Sequence, residues 1–144
     1  MIELTILASD NSFADENLTL PFDARQKSRL LGKTDKGTEI GLFLPRGQVL
    51  RHGYVLTGVD HVKVRIVAAD EALSVVRTDD ALQFARACYH LGNRHVPLQI
   101  LAGELRYLTD HVLDQMLEGL GFQILYATLP FEPEHGAYHT QHGH

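Results

Sequence analysis

A change of hydrophobic period near residue 70 constrains this chain more than any other feature. Before it, apolar residues alternate in short runs: Ile2, Leu4 and Ile6, then Leu18 and Leu20, then Val62, Val64 and Ile66. Alternation of this kind marks half-buried strands. Turn chemistry separates the runs. Pro21 ends the second run, and Asp35-Lys36-Gly37 lies between Lys27–Thr34 and Thr38–Leu44. Pro45-Arg46-Gly47 makes a further turn, and His52-Gly53 lies between Val49-Leu50 and Val55-Leu56. Gly and Pro at such places supply the backbone angles that tight turns need. No helical period of ten residues occurs here. Residues 1–70 are therefore expected to form a small β-sandwich or barrel.

After residue 70 the period alternates between two kinds. Leu73–Arg77 is a valine-rich run with strand character. Thr78-Asp79-Asp80 offers a helix N-cap, and Leu82, Ala85, Cys88 and Tyr89 follow at helical spacing. Gly92 is placed to end that helix in the left-handed conformation. Val96, Leu98 and Ile100 alternate as a strand, Ala102-Gly103 turns the chain, and Leu105 and Tyr107 alternate again. Thr109 or Asp110 can cap a second helix, whose apolar stripe reads Val112, Leu113, Met116, Leu117 and Leu120. Gly121 closes it, and Phe122, Ile124 and Tyr126 alternate in a last strand. The order is βαββαβ over residues 73–127, the ferredoxin-like unit. The fold class is thus α+β: an all-β domain over 1–70, a ferredoxin-like domain over 71–130, and a flexible polar tail over 131–144.

Composition narrows the function. The chain has 144 residues, 44% hydrophobic and 22% charged, which excludes wholesale disorder. A net charge of −5 argues against a nucleic-acid binder with a basic surface. No apolar run approaches the ~18 residues of a membrane helix. The first residues lack a signal-peptide pattern. A single cysteine excludes an intrachain disulfide, and these features together point to the cytoplasm. The motifs HExxH, Walker A, GxSxG and GxGxxG are missing. Cys88 falls on a helical stripe and reads as a small buried hydrophobe.

Nine histidines remain to be explained, four of them in the last ten residues: His135, His139, His142 and His144. Neutral imidazole suits nickel, copper, zinc and iron. With Glu132 and Glu134 nearby and no cysteine, the tail favours nitrogen-preferring cations over soft ones. A solvated tail or a purification remnant is the plainer alternative, although remnants usually carry consecutive histidines. Gly92-Asn93-Arg94-His95-Val96-Pro97 is a second candidate, because Arg94 and His95 are not demanded by any turn. A lone histidine is more often a structural hydrogen-bonder. It becomes a bridging ligand if the chain is a symmetric dimer and His95 lies near the two-fold axis. His111 is a third candidate, in the first turn of the second helix beside Asp110, where an exposed polar residue is the simpler reading. His90 reads as a residue of the last helical turn, and His52 and His61 have no evident partners.

These residues also carry a resemblance. ARACYHLGNRHVPLQI at 85–100, GELRYLTDHVLDQML at 103–117 and LPFEPEHGAY at 129–138 resemble the UreE family, the urease accessory nickel chaperones. LPRG at 44–47, IVAAD at 66–70 and SVVR at 74–77 are similar to it too. The resemblance spans nearly the whole chain. It implies a β domain that binds peptide and a ferredoxin-like domain that binds metal. LPRG and its neighbouring strands could supply a peptide contact, although a structural turn is the plainer reading of them. It implies a homodimer through the second domain, with the GNRH histidine, here His95, binding Ni²⁺ at the interface. His111 matches a position near a peripheral metal site. Some relatives carry a further histidine two residues earlier, where this chain has Thr109. The tail histidines imply auxiliary ligands, fewer than in long-tailed relatives, with Zn²⁺ or Cu²⁺ as alternative ions in vitro. The implied role is non-enzymatic nickel delivery to apo-urease through the urease accessory GTPase and its larger accessory complex. Two rival classes are a zinc-dependent hydrolase using His95 and His111, and a ferredoxin-like module that reads nucleic acid or peptide. The hydrolase lacks a carboxylate base at motif spacing, and VPLQIL and ELRYL lack the paired aromatics of an RNA platform.

Overall fold

A computed structural model describes residues 1–135. The chain divides into two compact units, Met1–Ala69 and Asp70–His144. No helix among the described residues is long and apolar enough to cross a membrane.

The first unit holds seven strands: β1 (Ile2–Leu4), β2 (Ile6–Leu7), β3 (Glu16–Leu20), β4 (Arg29–Lys33), β5 (Glu39–Phe43), β6 (Val55–Thr57) and β7 (Val64–Ala68). They form a three-stranded sheet ordered β1-β5-β4 and a four-stranded sheet ordered β2-β6-β7-β3. The pairs β1–β5 and β3–β7 are parallel, and the rest are antiparallel. Alternation makes the core. Leu4, Ile40 and Leu42 from the first sheet and Leu18, Leu56 and Ile66 from the second are buried in one cluster. The β4–β5 turn works as expected: Gly37 takes φ +89, and its N–H bonds the Thr34 carbonyl at 2.8 Å.

One local expectation fails in this unit, and one short element was not anticipated. Pro21 does end β3, but it also starts a one-turn helix, α1 (Phe22–Arg25). Arg25 is fully buried there, its Nε donating to the Leu20 carbonyl and its Nη1 to the Leu50 carbonyl, both at 3.1 Å. Val49 and Leu50, expected as a strand, are buried without being one. The Leu50 N–H bonds the Arg25 carbonyl at 2.9 Å instead of a ladder partner. A buried guanidinium that needs backbone acceptors has taken over that segment's hydrogen bonds.

The second unit contains β8 (Asp70–Arg77), α2 (Ala81–Asn93), β9 (Gln99–Leu101), β10 (Glu104–Leu108), α3 (His111–Gly119) and β11 (Leu125–Pro130). Its sheet is ordered β11-β8-β10-β9 and is antiparallel throughout. That is the ferredoxin-like arrangement expected from the order of periods. Asp80 caps α2, accepting from the Leu82 and Gln83 N–H groups, and Asp110 caps α3 through Val112 and Leu113. Val76, Leu105 and Tyr107 of the sheet pack in one cluster with Ala87 and Leu91 of α2 and Leu113 and Leu117 of α3. Both helices therefore cover the same face of the sheet.

On α2 the inward stripe lies part of a turn from its expected place, whereas on α3 four of the five expected residues, Leu113, Met116, Leu117 and Leu120, pack inward. On α2 the inward residues are Phe84, Ala87, Cys88 and Leu91, whereas Leu82 and Tyr89 stand 59% and 66% exposed, with Ala85 also exposed. On α3 Val112 is exposed and Asp114 is buried. The strand bounds shift as well. Val96 and Leu98 precede β9, and β11 begins at Leu125, leaving Phe122 and Ile124 in the core before it. Cys88 is half-buried, and burial raises its thiol pKa, which makes it a poor nucleophile.

Candidate metal-binding site

His95 owes its place to the way α2 ends. Gly92 and Asn93 stay helical, Arg94 is the C-cap, and His95 takes φ +56. Its N–H bonds the Gly92 carbonyl at 3.0 Å, and the Val96 N–H reaches the Leu91 carbonyl at 3.5 Å. Those two bonds are the pair that defines a Schellman motif, with Leu91 and Val96 packing in the same core cluster beneath it. The left-handed position is therefore His95 and not Gly92. A non-glycine residue there costs roughly 1–2 kcal/mol. The strain falls on an exposed imidazole at the rim of the sheet. Arg94 ties the turn to α3, its Nε lying 3.1 Å from the Met116 sulfur.

The register brings other histidine-bearing segments to the same end of the sheet. Gln99 and Leu101 of β9 stand opposite Arg106 and Glu104 of β10. The chain entering β9 from His95 thus lies where β10 hands over to α3 through Thr109 and Asp110. His111 is the first residue of α3, exposed, with its Nε2 3.3 Å from the Gln115 amide nitrogen. After β11 the chain returns past this end. The Glu132 N–H bonds the Gln99 side-chain oxygen at 3.1 Å, and the Glu134 N–H bonds the Leu98 carbonyl at 2.8 Å. His135 follows and is exposed. Three of the six candidate histidines thus sit on segments gathered at one end of one sheet. Among the described residues no group of three His, Cys, Asp or Glu side chains could hold a metal ion. His139, His142 and His144 lie outside the described residues.

The background histidines have local explanations. His52, expected to lack a partner, accepts the Ala68 N–H on Nδ1 at 3.1 Å. His61 takes φ +60 in a turn closed by its N–H on the Gly58 carbonyl. His90 packs edge-on against the Tyr89 ring at 5.3 Å.

One constellation was not anticipated. Tyr107 and Tyr126 both stand opposite Ser74 across the sheet. The three hydroxyls converge on the buried carboxylate of Asp114: Ser74 Oγ donates at 2.7 Å, Tyr107 Oη at 2.6 Å and Tyr126 Oη at 2.9 Å. Burial, then the Asp114 carboxylate, pushes the Tyr107 phenol far above its ordinary value. The Asp114 carboxylate is also the main reason that Tyr126 is raised. Asp114 follows His111 by one turn, so this network anchors the start of α3 to the sheet. The signal was available in the sequence as an acid among the apolar residues of the α3 stripe.

Comparison with known proteins decides the family. Residues 3–69 match the model for the N-terminal domain of the UreE urease accessory protein, and residues 71–144 match its C-terminal domain. The chain belongs to the UreE family. Among its UreE relatives, the urease accessory protein UreE of Alkalilimnicola ehrlichii is 56% identical over 96% of this chain and 85% of its own length. The UreE of Citrobacter koseri is 52% identical over 100% of this chain and 96% of its own. That of Escherichia coli O157:H7 is 49% identical over 100% and 95%. The UreE family consists of accessory proteins and not of enzymes, which removes the hydrolase reading.

Proposed function

We propose that this chain is a nickel-carrying metallochaperone that delivers Ni²⁺ for assembly of the urease active site. Family membership supports a part in urease maturation. The observation that carries the finer reading is the strained His95. An imidazole stands at the one position of the α2 terminus where glycine is the ordinary occupant.

The ion is cargo, so it must be held and then released. Few protein imidazoles, completed by water or by tail residues, suit that task better than a closed four-thiolate site. His95 alone cannot fill a coordination sphere. In a homodimer formed through residues 71–130, two copies of His95 would bridge one Ni²⁺, with His135, His139, His142 and His144 of the 131–144 tail completing the sphere. His111 would serve a weaker peripheral position, with Zn²⁺ or Cu²⁺ able to occupy the sites in vitro. The expected partners are the urease accessory GTPase, its accessory complex and apo-urease, in the cytoplasm. Imidazole binds metal only when neutral, so protons compete with nickel and affinity falls as the solution is acidified. Calorimetric titration of Ni²⁺ into wild type and His95→Ala at neutral pH tests the bridge. Lost or sharply weakened high-affinity binding in the variant is expected. Equal affinity in the two proteins removes His95 from the site.

A further inference from the structure

We propose that Gln99 is a positioning residue for the proposed nickel site: it clasps residues 131–134 against β9 and so holds His135 beside the His95 turn. The inference rests on the nickel reading above and deepens it, by naming what brings a histidine of the returning chain to that site and what limits its stay there.

The direction of the returning chain decides what it delivers. The Glu132 N–H bonds the Gln99 side-chain oxygen at 3.1 Å, and the Glu134 N–H bonds the Leu98 carbonyl at 2.8 Å. Residue numbers rise along this segment as they fall along the chain it touches. It therefore runs antiparallel to the stretch 95–99, and the next residue, His135, continues towards Pro97 and His95. Pro97 lies two residues from His95, at most about 7 Å of chain. The start of the segment is fixed by Phe131, fully buried directly after β11. β9 ends its sheet, and no strand of that sheet lies beyond it to compete for the place.

The hold is short for a reason in the sequence. Pro133 has no N–H to give between the two bonds, and Pro97 has none to give beyond Leu98. The segment therefore cannot zip onto β9 as a full strand, and residues 131–135 form none. One of the two bonds ends on a side chain, so Gln99, the half-buried first residue of β9, decides whether Glu132 is tied there. A single such bond changes an equilibrium only several-fold. That size suits cargo: a histidine held in this way adds to retention and still lets go. A bond that served the fold alone would act equally whether or not residue 135 is a histidine, and this difference separates the two roles.

The test uses the full chain loaded with Ni²⁺ alone and follows nickel dissociation into excess chromogenic chelator by stopped flow. Gln99→Leu removes the acceptor and should speed dissociation about threefold or more. His135→Ala should speed it at least as much, and Gln99→Leu added to His135→Ala should change it no further. Gln99→Glu keeps a side-chain oxygen for the Glu132 N–H and should stay near wild type. A second readout needs no metal: amide exchange at Glu132 and Glu134 should quicken in Gln99→Leu and not in His135→Ala. Dissociation unchanged in Gln99→Leu, an equal effect of Gln99→Leu with and without His135, or unchanged exchange at Glu132 would overturn the proposal. Wild type that takes up no nickel removes the nickel reading and this proposal with it, whereas nickel held equally by wild type and Gln99→Leu removes this proposal alone.

Discussion

At the residue scale the account turns on one backbone angle. His95 sits at φ +56 in a Schellman turn, with Gly92 three residues earlier still inside the helix. The local sequence favoured Gly92 as the terminator because glycine is the common left-handed residue. The end of a helix, however, is set by where the following apolar residue reaches the core, and here that residue is Val96 above Leu91. The candidate histidine was legible in the GNRH turn. Its strain was not, because strain depends on that tertiary register. A prediction follows from the difference. His95→Gly relieves the left-handed strain but adds the backbone entropy of glycine, for a net gain of about 0.5–1 kcal/mol. Urea unfolding should show His95→Gly more stable than wild type, and nickel titration should show its high-affinity site lost. A variant less stable than His95→Ala would contradict the strain.

At the element scale α3 is anchored by a polar network where sequence patterning expected only an apolar stripe. Val112, expected inward, is exposed and Asp114 is buried, because the Asp110 cap fixes the rotation of the helix and Leu113 and Leu117 then define its inward face. A periodicity count treats a buried acid as an error, yet Ser74, Tyr107 and Tyr126 form a row that only strand register reveals. Hydrogen bonds to a charged group are each worth about 1.5–3 kcal/mol. Asp114→Ala, which strands two buried hydroxyls, should lose about 3 kcal/mol or more by urea unfolding. Tyr126→Phe, at an exposed side chain, should lose much less than Asp114→Ala. A near-wild-type Asp114→Ala would show that the network does not hold the helix.

The same network predicts an alkaline limb to stability. Tyr107 and Tyr126 both have folded pKa values raised above the unfolded one. The neutral phenols' contribution is complete below about pH 10, where unfolded tyrosine is also neutral. Above it the unfolded chain ionises first, so stability falls as pH rises. Tyr107→Phe should flatten that fall in unfolding curves taken from neutral pH into the alkaline range. An alkaline limb as steep as that of wild type would exclude Tyr107 as its source.

At the scale of the whole molecule, most of the architecture was legible. The change of period near residue 70, the order βαββαβ and the two cap segments could be read directly from residue types, and the structure selects Asp80 and Asp110 within them. The buried Arg25 could not, because a guanidinium takes its acceptors from segments distant in sequence. Nor could the return of residues 132–134 along the start of β9, which depends on where β11 ends. That return brings the segment bearing His135 to the end of the sheet where those bearing His95 and His111 lie. Under the proposed function the site is finished between two copies of the chain. Native mass spectrometry with added Ni²⁺ reads assembly and metal load together. The account predicts a dimer that retains nickel and loses its tightly held ion in His95→Gly. A monomer that binds no nickel, or a His95→Gly dimer loaded like wild type, would contradict it.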